Sequence, residues 1–426
     1  MTGQSTVQTL KGFRDFLPEQ KRVRDWVKNT ITKAFQIHGF EPIETPTLEY
    51  AELLLGKYGS EADKMVYTFE DRGKRKVGMR YDQTMPTARV LAQYSHTLPK
   101  YFRRYQIQNV FRAENTQKGR YREFTQCDCD LFGSTSPLAD AEILSVFYAT
   151  YKALGLDITI RINDRTSLFE AIKPFETADV SVFSIIQSID KLDKLSQDDV
   201  MKELEEKGLE IENTTAVVNT VNRIPLSKNC QEIMGYAMDL GVPEEALEFV
   251  PSLARGLDYY TGLIFEGVIP EISGGSVGGG GRYDNLIKQL GGPELSAAGF
   301  AIGFDRTIEA LEELNLLPSF ESTARVLVTV FNPECIEAST GIARDLRAQG
   351  IATELYPHTK DALGKQIKYA NDKKVPYVIV IGPDEVKKEI ITLKNMRTGE
   401  ETKGTIQEGI TVIQTPTLHR ERDSQS

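Results

Sequence analysis

The stretch that most constrains this chain is Tyr101–Gly133, YFRRYQIQNVFRAENTQKGRYREFTQCDCDLFG. It reads as β-rich segments at Tyr101–Ile107, Asn109–Ala113 and Tyr121–Phe132, the last two joined by a polar loop at Glu114–Gly119. Side chains alternate across a strand, so Gln126, Asp128 and Asp130 project together, with Phe124 on that side too. Arg112 and Glu114 share a face on the preceding arm. A hairpin with arginines on both arms and a basic loop can grip a polyphosphate, because a planar guanidinium donates two charge-assisted hydrogen bonds at once. The alternative is a solvated antiparallel ribbon that uses charge to protect its edges.

Charge sharpens this. The 426 residues carry 51 Lys+Arg against 61 Asp+Glu, a net charge of −10, which taken whole argues against a nucleic-acid partner. Residues 170–250, however, hold 17 acidic and 7 basic residues, so the entire excess lies in that window and the rest of the chain is neutral. Residues 100–122 hold seven basic residues and one acid; residues 360–403 hold ten against seven. Solvated faces are the ordinary explanation of such clusters. The first of the two is the denser and needs its own explanation.

The length fits two or three domains, and 40% hydrophobic with 26% charged residues fits an ordinary globular protein. No apolar run approaches the ~18 residues of a membrane span, and the polar N-terminus has no signal-peptide core. Cys127, Cys129, Cys230 and Cys335 make neither a disulfide framework nor a C-x-x-C metal pair, which suits a reducing cytoplasm.

Periodicity organises the remainder. A helix is expected over Pro18–His38, a hairpin around Asp71–Lys74, helices after Asp82 and Pro137, and a strand at Asp157–Ile162. The acidic window reads as a helical insertion. Strand signals return at Leu263–Ile269, followed by a glycine-rich turn, a strand near Ala298–Ile302 and a helix from Asp305. Past a linker at Pro318–Thr323, strands and helices alternate from Arg325 to Ile381 as a compact α/β module with a parallel sheet.

Three further elements hold candidate chemistry. Leu253–Glu266, LARGLDYYTGLIFE, reads as a strand that sends Tyr259 and Tyr260 to opposite faces, with Asp258 able to orient Arg255. Gly274–Asp284, GGSVGGGGRYD, is neither a Walker loop nor a dinucleotide fingerprint; a flexible linker and close backbone approach to a ligand both remain open. Gly299–Arg306, GFAIGFDR, places Arg306 at a helix start, as a carboxylate–arginine cap or as a phosphate ligand. No Ser/His/Asp set, glycosidase carboxylate pair or histidine-rich metal spacing stands out, which narrows the chemistry towards polyphosphate handling by arginines.

In this order the motifs are specific. The Pro-containing strand Gly39–Glu49, the FRAE hairpin with its GRYREF return arm, and GFAIGFDR resemble the three signature motifs of class II aminoacyl-tRNA synthetases. LARGLDYYTG and GGGGRYD resemble the signatures of the histidyl-tRNA synthetase family, and the likeness covers roughly residues 10–410. The resemblance implies an α+β fold: an antiparallel-sheet catalytic domain (1–169 and 251–322), a helical insertion (170–250), a C-terminal α/β anticodon-binding domain (323–416) and a polar tail (417–426). It implies that Arg112 and Arg306 hold the ATP phosphates, with Glu114 and Arg120 near the nucleotide and Arg255 at the α-phosphate. Asp82, Thr84 and Gln126 would take the α-amino and carboxylate groups of L-histidine, while Asp130 and Tyr260, beside Tyr259, face the imidazole. Asp82 and Asp130 stand where other members have the longer glutamate, which keeps the charge and changes the reach. ATP, Mg2+, tRNA(His) and a homodimer built on Gly39–Glu49 follow from the same resemblance, and no membrane does. Other readings are a histidine-binding regulatory paralogue of ATP phosphoribosyltransferase, a class II synthetase for another amino acid, and an acidic scaffold. The first typically lacks the C-terminal domain and has degraded ATP-site motifs; LARGLDYYTG speaks against the second; the third leaves the ordered arginines unexplained.

Overall fold

The computed structural model describes residues 7–55, 64–115, 121–254, 259–272, 275–320 and 322–415. The chain divides into two compact units, residues 1–317 and 318–426.

The first unit is built on an eight-stranded sheet. Its order is Glu41–Pro42, Phe102–Phe111, Glu123–Phe132, Ala297–Gly303, Gly278–Arg282, Leu263–Val268, Thr159–Asp164 and Leu247–Phe249. The outermost pair at each edge is parallel and every other pair is antiparallel. The two short segments expected at 101–107 and 109–113 are one ten-residue strand. The glycine run expected to form a turn is instead a fully buried central strand. Close packing explains the composition: a Cβ on Gly280 would lie 1.9 Å from the carbonyl oxygen of Gly299 on the next strand.

Alternation gives this sheet two unlike faces. Cys127, Cys129, Leu131, Phe265, Phe300 and Ile302 are buried in the main core, together with Val27, Ile31 and Phe35 of helix Pro18–Ile37. Helix Pro137–Ala153 covers this face too, its Phe147 ring 5.0 Å from Phe300 and 5.2 Å from Phe265. The opposite face carries Arg104, Gln106, Gln126, Asp128 and Asp130, and there the site is built.

The acidic window splits by what it packs on. Helices Val182–Ile189, Gln197–Glu206 and Ile211–Val221 share a core with Arg165–Ile172 through Leu168, Ile185, Val200, Leu204 and Val217. Serines cap the first two of these helices; Asp198, Asp199, Glu205 and Glu206 of the second stay exposed while the apolar stripes meet. Helix Lys228–Asp239 instead sends Cys230, Ile233 and Ala237 into the main core.

The second unit has five strands in the order Thr353–Leu355, Val326–Val328, Tyr377–Val380, Ile391–Asn395 and Glu401–Gly404. The first three are parallel, as the alternating strand and helix signals predict. The last two form an antiparallel hairpin, so the sheet is mixed and not purely parallel. A tight turn with Gly399 at φ 77° lets that edge fold back without a crossover helix.

Candidate active site

Cross-strand register assembles the polar face. In the pair Phe102–Phe111 and Glu123–Phe132, Arg104 lies opposite Asp130, Gln106 opposite Asp128, and Gln108 opposite Gln126. Arg104 is fully buried, its Nη2 2.6 Å from Asp130 Oδ2 and 3.9 Å from Asp128 Oδ2. Burial works against that guanidinium, but Asp130 and Asp128 more than offset it and keep it charged. The Tyr283 hydroxyl donates to the other oxygen of Asp130. Room for that carboxylate exists because residue 299 is glycine: a Cβ there would sit 1.8 Å from Asp130 Oδ1.

Around this pair lies a cluster of buried polar side chains. Asp82 is buried and its Oδ1 accepts from Met85 N, 3.2 Å away, at the start of helix Thr84–Tyr94. Gln83 lies across the two strands, its Nε2 donating to the main-chain oxygens of Gln108 and Gln126. Tyr259 shares side-chain hydrogen bonds with Thr84 and Tyr260, and its ring is 4.8 Å from Tyr260 and 5.5 Å from Tyr283. The two tyrosines therefore pack against each other outside any strand, which corrects the expectation of opposite faces. Burial pushes the phenols of Tyr259 and Tyr283 well up, and pushes the carboxyls of Asp128 and Asp130 up despite the pull of Arg104.

Gln126 also lines a neighbouring cavity of about 590 Å³. Arg112, Glu114, Tyr121, Phe124 and Arg306 share that lining, and Asp190 and Lys194 reach it from the helical window. Arg112 donates through Nε to the Tyr81 carbonyl at 3.2 Å and lies over the Tyr81 and Phe124 rings, with Glu114 4.0 Å away. Arg306 is exposed on the first turn of helix Phe304–Glu313, and its Nη1 donates to the Ser276 carbonyl at 2.8 Å. It does not cap with Asp305, which is held by Arg14 at 2.9 Å and Arg24 at 2.5 Å. Arg306 thus rests on a neutral carbonyl, and Arg112 on a neutral carbonyl with Glu114 at ion-pair distance, contacts that a polyanion can displace or supplement.

Of the residues expected in a site, Arg112, Glu114, Gln126 and Arg306 meet at the cavity. Asp82, Thr84, Asp130, Tyr259 and Tyr260 belong to the adjoining buried polar cluster. Arg120, Arg255 and Asp258 lie outside the described residues. Arg104 and Tyr283 were missed. Arg104 could have been found from the cross-strand register, and Tyr283 from its place in the GGGGRYD signature. The density of basic residues in 100–122 also misleads as a surface feature, since Arg104 is buried and Arg103 is paired with Glu142 at 2.7 Å.

Comparison with known proteins bears on this geometry. A histidyl-tRNA synthetase family model matches residues 12–307, and an anticodon binding domain model matches residues 325–415. The histidine–tRNA ligase of Wolinella succinogenes is 40% identical over 93% of this chain and 95% of its own length; that of Clostridium tetani is 37% identical over 95% and 97%. The crystal structure of histidyl-tRNA synthetase from Nostoc sp. PCC 7120 superposes with a TM-score of 0.81 at 28% identity, covering 96% of this chain and 99% of that one. The family model spans most of the chain, and both relatives are matched over nearly their whole length: the chain belongs to the histidyl-tRNA synthetase family.

Proposed function

We propose that this protein ligates histidine to its tRNA through a histidyl-adenylate. The observation that carries the reading is the juxtaposition at Gln126: a buried acidic pocket on one side and a cavity bearing Arg112 and Arg306 on the other. In the first step a histidine carboxylate oxygen bonds to the α-phosphorus of ATP, and the bond from that phosphorus to the β-phosphate oxygen breaks, releasing pyrophosphate. In the second, the terminal adenosine hydroxyl of the tRNA attacks the adenylate carbonyl and AMP leaves. Arg112 and Arg306 stabilise the charge that builds on the phosphates, with Glu114 and Arg120 beside the nucleotide. Arg255 acts at the α-phosphate on the strength of the resemblance, so Arg255→Ala lowers adenylate formation far more than histidine affinity.

Asp82, Thr84 and Gln126 position the amino acid, and Asp130 with Tyr260 satisfies the two ring nitrogens. Tyr283 adds support by holding Asp130. Fixing both polar edges of the ring discriminates against side chains that leave a buried group unpaired. Mg2+ enters this reading with the triphosphate, which supplies oxygen ligands, while Glu114 and Glu266 are acids on the cavity wall. Among the described residues, no three acidic, His or Cys side chains gather around a point that could hold a resident ion.

The same proposal includes a cytoplasmic homodimer built on Gly39–Glu49, and the division into catalytic halves, a 170–250 insertion and a 323–416 anticodon-binding domain. Exposed Ile37, Leu48 and Tyr50 near that region support the dimer surface. ATP–pyrophosphate exchange with each of the twenty amino acids tests the function. Exchange with histidine alone is expected. Exchange with another amino acid, or none, overturns it. A regulatory paralogue, which would give none, is disfavoured because the ATP-site motifs and the second unit are both present.

A further inference from the structure

The polar face holds one acid that the proposed function leaves unused. Asp128 lies between Gln126 and Asp130 on one strand face and is 3% exposed. Among the described residues, its Oδ1 has no hydrogen-bond partner, and neither has Oε1 of Gln126, whose side chain is hydrogen-bonded to Asp128. Two orphaned acceptors therefore sit side by side. The charges around them do not balance. Among the described residues, Asp82, Asp128 and Asp130 face a single buried base, Arg104, whose close contact at 2.6 Å goes to Asp130 while Asp128 is 3.9 Å away. Asp130 has Tyr283 as a second partner, and Asp82 takes the Met85 N–H. A buried carboxylate with an open acceptor is unfavourable until a donor arrives, and a cationic donor relieves both deficits.

We propose that Asp128 is a further substrate-binding residue that accepts a hydrogen bond from the α-ammonium of histidine, with Gln126 Oε1 as the neighbouring acceptor. An ammonium suits this place because it brings several N–H donors and one positive charge, whereas the neutral imidazole edge needs only one acceptor per N–H. Burial pushes the Asp128 carboxyl well above its usual range, so a cation brought beside it favours its charged form. The inference rests on the reading of this pocket as the histidine site.

The test removes the charge from one partner at a time. Asp128→Asn is compared with the unaltered enzyme for histidine, for histidinol, which keeps the ammonium and lacks the carboxylate, and for 3-(imidazol-4-yl)propionate, which lacks the ammonium. Histidine affinity is read by calorimetry. The two analogues are read as competitors of histidine-dependent exchange, so that weak binding registers. The expected result is a loss of about 10- to 100-fold for histidine and histidinol, with less than about a twofold change for the propionate. Equal losses on all three ligands, or no loss on any, overturn the role of Asp128. If Asp128→Asn does not fold, Asp128→Ser takes its place in the same titrations. An unaltered enzyme that binds no histidine overturns the proposed function itself, and this assignment with it, so the two failures are told apart.

Discussion

The pocket and the cavity on the same sheet face treat charge in opposite ways. In the pocket, Arg104 is buried and closed onto Asp130, and Tyr283 completes that carboxylate. In the cavity, Arg112 and Arg306 remain solvent-accessible and donate to backbone carbonyls of Tyr81 and Ser276. A buried pair is expensive to desolvate and rigid once made, so it supplies shape and polarity for a small ligand. An arginine resting on a neutral carbonyl keeps its charge for an incoming phosphate. In the function proposed above, the same type of side chain serves selection in one place and electrostatic stabilisation in the other.

This contrast can be broken most forcefully at Asp130. Asp130→Ala leaves Arg104 buried without its close partner and is expected to lower unfolding stability by about 3–5 kcal/mol in urea titrations. Arg306→Ala should leave stability within about 0.5 kcal/mol while exchange activity falls roughly 10²- to 10³-fold. A stable Asp130→Ala protein, or an unfolded Arg306→Ala one, would erase the distinction. Next in size is Gly299→Ala, whose added carbon must displace the Asp130 carboxylate. A loss of about 1–3 kcal/mol by thermal unfolding is expected, with weaker histidine binding and ATP affinity nearly unchanged.

The smallest effect concerns pH and uses the second unit as a control. Glu385 is buried, which raises its pKa, but Lys403, Thr392 and the Gly382 N–H together hold it at about 2. Its folded value lies below the ordinary 4.5, so its contribution is present above that pH and is lost as pH falls towards 2. Asp128 has the opposite sign: its folded value is raised above 3.8, so stability present below that pH is lost as pH rises through the raised value. Unfolding measured from pH 2 to pH 8 should show Glu385→Gln flattening the acid limb, and Asp128→Asn gaining stability at neutral pH without ligand. A loss at neutral pH for Asp128→Asn would show that its carboxylate is already well paired in the free protein.

Legibility followed the range of the interactions. The helix at Pro18–Ile37 was readable because Val27, Ile31, Ala34 and Phe35 recur at helical spacing. The shared face of Gln126, Asp128 and Asp130 followed from strand alternation alone. The glycine strand was not readable, because Gly278–Arg282 owes its conformation to neighbours distant in the chain, Leu263–Val268 and Ala297–Gly303. The Tyr259–Tyr260 pair misled for a related reason: adjacency in sequence suggested a strand, while packing on Tyr283 set the rings.

By itself, the sequence determined the amphipathic helices, the acidic excess of 170–250 and the order of motifs that marks the family, all of which depend on residues near one another in the chain. Only the tertiary structure decided which charges are neutralised. Arg103 and Arg104 are neighbours in sequence, yet one is paired near the surface with Glu142 and the other lies fully buried against Asp130. The cross-strand register and the missing Cβ of Gly299 make that difference, because ion pairing depends on distance and desolvation and not on position in the chain.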